Sequence, residues 1–362
     1  MEMDTGRTFF GDMHIIQKKY LELAMKRKRI VNGLGGCILA VVLILTSCTA
    51  CGKKDSALTK VTLNEVAHSI FYAPQYVAIE EGYFKEEGID LELVTGFGAD
   101  KTMSALIAGE ADIGFMGAES SVYLYAEDAS NYAVNFAQLT QRAGNFLVAR
   151  EPIDEFSWEM LKGKNVLGGR RGGMPEMVFE YILQKNNIDP VSDLTIDQSI
   201  DFGSTAAAFS GGQGDFTVEF EPSATALEKA GEGYVVASLG VDSGYVPYTS
   251  YCTTKGYLKD NESTIQSFTN ALQKGMGYVN SHTPEEIAKV IAPQFEETDY
   301  DTLVTIVTRY YEQDTWKENL IFEESSFDLL QNILTGAGEL ENRVPYEELV
   351  DNRFAEAAAD TK

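Results

Sequence analysis

FYAPQYVAIEEGYFKEEGIDLEL, residues Phe71 to Leu93, is the stretch that decides the fold class. Its first half, APQYVAIEEGYF, is a long amphipathic run, and its end opens the short apolar run IDLELVT. A helix-length segment followed by a strand-length one needs a sheet on which the helix can lie. The alternation continues outward on both sides. VTLNEVA precedes the stretch from Val61, while DKTMSALIAG and DIGFMG follow it. Strands alternating with helices imply the α/β class, a mostly parallel sheet covered on both faces.

A second series starts after Arg150, with NVLGG, PEMVFEYILQKN, LTIDQSI, TAAAFSGG, FTVEFE, PSATALEKAG and YVVASL. After Tyr245 comes one extended run, YTSYCTTKGYL, and then helices to the end. Within residues 261–280, Ile265, Phe268, Leu272, Met276 and Val279 recur at helical spacing and form a core-facing stripe. These helices need a sheet, and returning the chain to the first lobe supplies one. Lobe one is therefore expected over 61–149 and 244–350, carrying the C-terminal helices, and lobe two over 150–243, with 351–362 as a tail. Two strands crossing between the lobes make a hinge, and a hinge beside a cleft can close around a ligand.

ALIAGEADIGFMGAE (Ala105 to Glu119) and AAFSGGQGDFTVEFE (Ala207 to Glu221) echo one another. Both run from helix to glycine to aspartate to strand and end on a glutamate. Either the echo places Glu119 and Glu221 at equivalent strand ends facing one cleft, or Gly and Asp serve simply as turn residues.

The N-terminal region carries KRKR (Lys26 to Arg29), an apolar run from Gly33 to Leu45, and LTSC ending at Cys48. A basic start, a short apolar core and small residues before a cysteine make a secretory signal of the lipoprotein type. The run is about 13 residues, whereas a spanning helix takes roughly 20. Residues 25–47 are thus expected to be the signal, Cys48 the lipidated residue and 48–60 a polar tether. Residues 1–24 precede a better start at Met25 and are expected to be an upstream extension. Localisation follows: the outer face of the cytoplasmic membrane, held by lipid.

Removing residues 1–47 takes 7 of 29 basic and 4 of 55 acidic side chains, leaving 22 against 51. Such an excess repels phosphate backbones, so nucleic acid is excluded as a partner. Beyond Cys51 only Cys252 remains. The mature part therefore has no disulfide framework, and no Cys/His cluster offers metal spacing.

FYAPQYVAIEEGYFKEEGIDLEL, LIAGEADIGFMGAES, LKGKNVLGG and FEP at Phe220 to Pro222 occur in an order that resembles ABC-transporter solute-binding proteins of the sulfonate, nitrate and thiamine-pyrimidine-precursor family. The resemblance covers about Val61 to Tyr257. It implies a type-2 periplasmic-binding fold with a discontinuous first lobe, no cofactor, and a membrane permease and ATPase as partners of a monomeric receptor. The chain departs from sulfonate binders in having GGRRGGMPE (Gly168 to Glu176) where they carry a Gly-Ser stretch. It departs from thiamine-precursor binders in having no tryptophan in NEVAHSIFYAP.

In open α/β sheets ligands bind beyond the carboxyl ends of strands. That rule selects His68 to Tyr72, Gly117, Ala118 and Glu119 with Ser120, Arg170 to Met174, and Glu219 to Glu221. Phe71 and Tyr72 offer flat faces for a planar ligand or fill the core beside Pro74. His68 hydrogen-bonds ligand or caps a strand end. Gly172 and Gly173 precede a helix whose first turn holds Pro175, so its free N–H groups suit an anion, with Arg170 or Arg171 adding charge and Met174 at the same end. Glu119, Glu219 and Glu221 favour a ligand with amine-like groups, or else pair with Arg170 or Arg171 across the cleft. The favoured ligand is a nitrogen-rich planar molecule such as a pyrimidine vitamin precursor, with an organosulfonate or nitrate-type oxyanion second.

No GxSxG, P-loop or HExxH occurs, and His14, His68 and His282 are scattered. Fungal pyrimidine synthases of this fold use a cysteine-rich motif, but no cysteine lies between Cys51 and Cys252. A binding protein is expected, and not an enzyme. An extracellular sensor would use the same fold and anchor.

Overall fold

The computed structural model describes residues 57–127, 130–200 and 202–360. The upstream extension, the signal, Cys48 and most of the tether lie outside the described residues. Among the described residues ten strands form two five-stranded sheets. They are β1 (Thr59–Glu65), β2 (Ile89–Thr95), β3 (Ile113–Gly117), β4 (Ala133–Thr140), β5 (Asn145–Ala149), β6 (Asn165–Leu167), β7 (Thr195–Asp197), β8 (Phe216–Phe220), β9 (Tyr234–Ser238) and β10 (Thr249–Thr254). The first sheet has the order β2-β1-β3-β10-β4 and the second β7-β6-β8-β5-β9.

The stretch that opened the sequence reading forms a helix (Ala73–Glu80), a short turn of helix (Tyr83–Glu86) and β2. β1 pairs with β2 and β3 in parallel, as alternation with helices requires. β10 enters antiparallel between β3 and β4, so the first sheet is built from two separate parts of the chain. The long helix Glu262–Ser281 buries Ile265, Phe268, Leu272, Met276 and Val279, the stripe read from the sequence, and packs on the Ala73–Glu80 helix.

Two boundaries differ from those expected. β5 pairs with β8 and β9 in the second sheet, so the first crossover runs through 141–144 and not at 149–150. The apolar run FLVA does not by itself name its partner strands. The supposed tail contains a helix, Arg353–Ala359, whose Phe354, Ala355 and Ala358 are buried against the Glu262–Ser281 helix.

The crossovers are fastened to each other by the segment after the Tyr300–Glu312 helix. Gln313 Nε2 donates to Ala143 O at 3.1 Å, and Ser238 Oγ donates to Gln313 Oε1 at 2.7 Å. Gly144 sits where the chain passes between aromatic rings. A Cβ there would stand 2.7 Å from the Phe220 ring and 2.8 Å from that of Phe71, so no larger residue fits unless the rings move. Among the described residues no helix is long and apolar enough to cross a membrane.

Candidate ligand-binding site

β1 ends at Glu65, and the chain then turns through Ser69, whose hydroxyl caps a short 3₁₀ turn, Ile70–Tyr72. Phe71 is wholly buried. Its ring lies 5.3 Å from Tyr72, 5.8 Å from Phe220, 5.7 Å from Tyr248 and 5.1 Å from Tyr310. Its carbonyl accepts from Trp316 Nε1 at 2.8 Å. Phe71 is thus the point where the first sheet, the end of β8, the second crossover and a C-terminal helix meet. Tyr72 stands edge-on to Phe115 at 4.5 Å.

His68 uses both ring nitrogens, facing Glu65 Oε1 at 2.9 Å and Gln294 O at 2.8 Å. Both partners are acceptors, so the charged imidazolium satisfies both. The Glu65 hydrogen bond, opposed by partial burial, raises the histidine above its ordinary value.

Gly117 closes β3 and Ala118 leads into the helix Glu119–Ala126. The Glu119 side chain folds back over Gly117, where a Cβ would collide with the carboxylate. Glu119 is 4% exposed, and its Oε2 has no hydrogen-bond partner. Burial pushes it up to about 7, against the pull of its own N–H and of Arg170. A carboxylate this deeply placed with one oxygen unmet is costly unless a ligand supplies donors.

The arginines stand away from these acids. Arg170 Nη1 meets Asp100 Oδ1 at 3.3 Å, and Arg171 Nε meets Glu339 Oε1 at 3.1 Å, all four side chains being partly exposed. Both pairs join the second sheet's loop to elements of the other part of the molecule, and Tyr123 does the same by donating to Gly172 O at 3.0 Å. The pairing expected of these arginines with Glu119, Glu219 or Glu221 is replaced by ion pairs to Asp100 and Glu339. Arg171 and Glu339 also line an open groove of about 490 Å³ that includes Glu176, Glu180 and Gln198.

Gly173 caps the helix Met174–Lys185, with Pro175 in its first turn and Met174 buried. The anion seat expected there is approached by a carboxyl group from the same helix. Gly172 N donates to Glu176 Oε2 at 3.1 Å, and Gln198 Nε2 donates to Glu176 Oε1 at 2.5 Å. Burial, with Glu180 beside it, holds Glu176 well above the usual carboxylate range.

On β8, Glu219 is buried and accepts from Thr217 Oγ1 at 2.6 Å; burial pushes it up to about 7. Glu221 is fully engaged elsewhere, accepting from Arg309 Nη1 at 2.6 Å and from Thr225 N and Oγ1, each at 2.9 Å. Residues not singled out in the sequence also enter: Asn145, Tyr123, Tyr248, Arg309 and Tyr310. Asn145 opens β5 with its Nδ2 buried and unpartnered, while its Oδ1 accepts from Tyr248 at 2.6 Å. An asparagine in NFLVA carries no local mark of such a role.

The NMT1/THI5-like family model matches residues 70–287. The chain belongs to this family. YtlA of Bacillus subtilis, a candidate binding protein, is 44% identical over 329 residues, 91% of this chain and 98% of its own. The fold is that of the periplasmic binding proteins. The alkanesulfonate-binding protein SsuA of Xanthomonas axonopodis superposes with a TM-score of 0.66 at 16% identity, covering 82% of this chain and 100% of its own. The nitrate-binding protein NrtA of Synechocystis gives 0.65 at 14% identity, covering 83% and 88%. Identities this low speak for the fold and not for the ligand.

Proposed function

We propose that this protein is the solute-capturing component of an ABC importer, exported, monomeric and held at the membrane by lipid on Cys48, and that it binds a planar, amine-bearing solute where the two sheets meet. Binding, not catalysis, is its task. Family membership supports the general role, and Glu119 carries the ligand class. Its buried oxygen without a partner accepts most strongly when ionised, and Glu219 lies buried in the second sheet with a similarly raised pKa. Two such acids favour a donor-rich ligand, of which a pyrimidine vitamin precursor is the model, and oppose a second negative charge.

An oxyanion is the second reading, favoured by the sulfonate and nitrate binders that share the fold. It calls for a cation at the site, whereas Arg170 and Arg171 are more than half exposed and already paired, and the guanidinium of Arg142 in the first crossover is turned to Gly240 O and Asp314. Isothermal titration of the mature chain with an aminopyrimidine and with an alkanesulfonate decides between them. Tight sulfonate binding with no response to the aminopyrimidine would reverse the order. X-ray scattering with and without the bound solute tests the hinge, since an unchanged radius of gyration argues against closure.

A further inference from the structure

The side-chain atoms buried without a partner include Gln138 Oε1 on β4 and Arg142 Nε in the first crossover, and two others form a pair of opposite kind. Glu119 Oε2 is an acceptor and Asn145 Nδ2 is a donor. Asn145 is wholly buried and lies opposite Phe220 in the β5–β8 register. Its Oδ1 accepts from the Tyr248 hydroxyl at 2.6 Å. Tyr248 is itself held against the rings of Phe71 and Phe220. A tyrosine wedged in this way cannot follow a turning amide, so the hydrogen bond pins Asn145 and directs its NH₂ group elsewhere. The Glu119 carboxylate lies over Gly117, and Gly117 is registered with Thr249, the residue after Tyr248, so both orphaned groups flank the start of β10.

An unmet buried polar atom has lost its water and gained nothing in exchange. Two of opposite sense call for a ligand edge that presents an acceptor beside a donor. We infer that Asn145 is a specificity-determining residue that donates to a neutral ring nitrogen of the ligand while Glu119 accepts from an amino group on the same ligand, with Tyr248 as the positioning residue. The inference rests on the proposed binding of an amine-bearing planar solute. An aminopyrimidine offers that edge. A sulfonate offers acceptors alone and would bring negative charge to Glu119.

The test is isothermal titration of the mature chain with 4-aminopyrimidine and with aniline, which keeps the ring and amine but lacks the acceptor nitrogens. The wild type should prefer 4-aminopyrimidine by about tenfold, the equivalent of one good hydrogen bond. Asn145→Ala should bring the ratio close to one by weakening 4-aminopyrimidine more than aniline. Tyr248→Phe should lower it to about threefold by freeing the amide, and it decides the matter if Asn145→Ala does not fold. A preference that survives in the folded variants overturns the role of Asn145 and leaves the proposed function standing. A wild type that binds a sulfonate and neither probe overturns both.

Discussion

Arg309 Nη1 donates to Glu221 Oε1 across 2.6 Å, tying the Tyr300–Glu312 helix to the loop that follows β8 in the second sheet. The Glu221 side chain is wholly buried there, and the same guanidinium also reaches Glu228. Tyr310, one residue on, donates to Gly144 O at 3.0 Å in the first crossover. A C-terminal helix thus braces the second sheet and the crossover together. The C-terminal helices do not serve the first sheet alone.

Removing one partner of a buried ion pair leaves the other charged and unpaired, at a cost of about 3 kcal/mol or more. Arg309→Met should lower stability by that amount in urea unfolding. The double variant Arg309→Met with Glu221→Met should recover much of it, because no wholly buried charge is then left unpaired, Glu228 being partly exposed. A single-variant loss below about 1 kcal/mol would show that the brace contributes little.

Glu119 makes the ligand-free protein less stable as pH rises. Its carboxyl titrates near 4.5 when unfolded and at about 7 in the fold. Below 4.5 both states are protonated and no penalty exists. Between the two values the native state keeps a proton that the unfolded chain has released, so stability falls, and above about 7 the penalty is complete, about 3 kcal/mol. Glu119→Gln should therefore be more stable than the wild type at pH 8 and nearly equal to it at pH 4, while losing affinity for an amine-bearing solute. Urea unfolding at both pH values, with titration calorimetry at pH 8, measures these effects.

Arg170 and Arg171 pair with Asp100 and Glu339 at partly exposed positions. Exposed pairs contribute about 0–1 kcal/mol. Arg170→Gln and Arg171→Gln should each change solute affinity by less than about fivefold in calorimetry. A hundredfold loss would place the arginine on the ligand.

Cys48→Ala should abolish labelling by a fatty-acid precursor in the producing cell and move the protein from the membrane fraction to the medium. Retention of the variant at the membrane would assign the anchoring to another segment.

The central architecture was legible because patterning is local. VTLNEVA, IDLELVT and DIGFMG became β1, β2 and β3, and the apolar spacing from Ile265 to Val279 became the buried face of a long helix. The return of the chain to the first sheet at β10 followed from the need of those helices for a surface. The boundary at 149 was not legible, because the apolar run FLVA does not name its partner strands, which are β8 and β9 of the second sheet. The Arg353–Ala359 helix was missed because its short run, FAEAAA, is too brief to show a period.

At the site, the residue types were visible in the sequence and their partners were not. Sequence alone offered glutamates just beyond β3 and β8 as one reading of the echo, and glycines before the Met174 helix. Only the tertiary structure decided that Glu221 belongs to Arg309, 88 residues away, that Glu176 approaches its own helix's anion seat, and that Glu119 and Asn145 are left unmet. The reason is physical. Periodicity records which side of an element faces water, a property of neighbours in the chain, whereas a buried charge is settled by whichever donor the packing brings within about 3 Å, and no sequence interval encodes that distance.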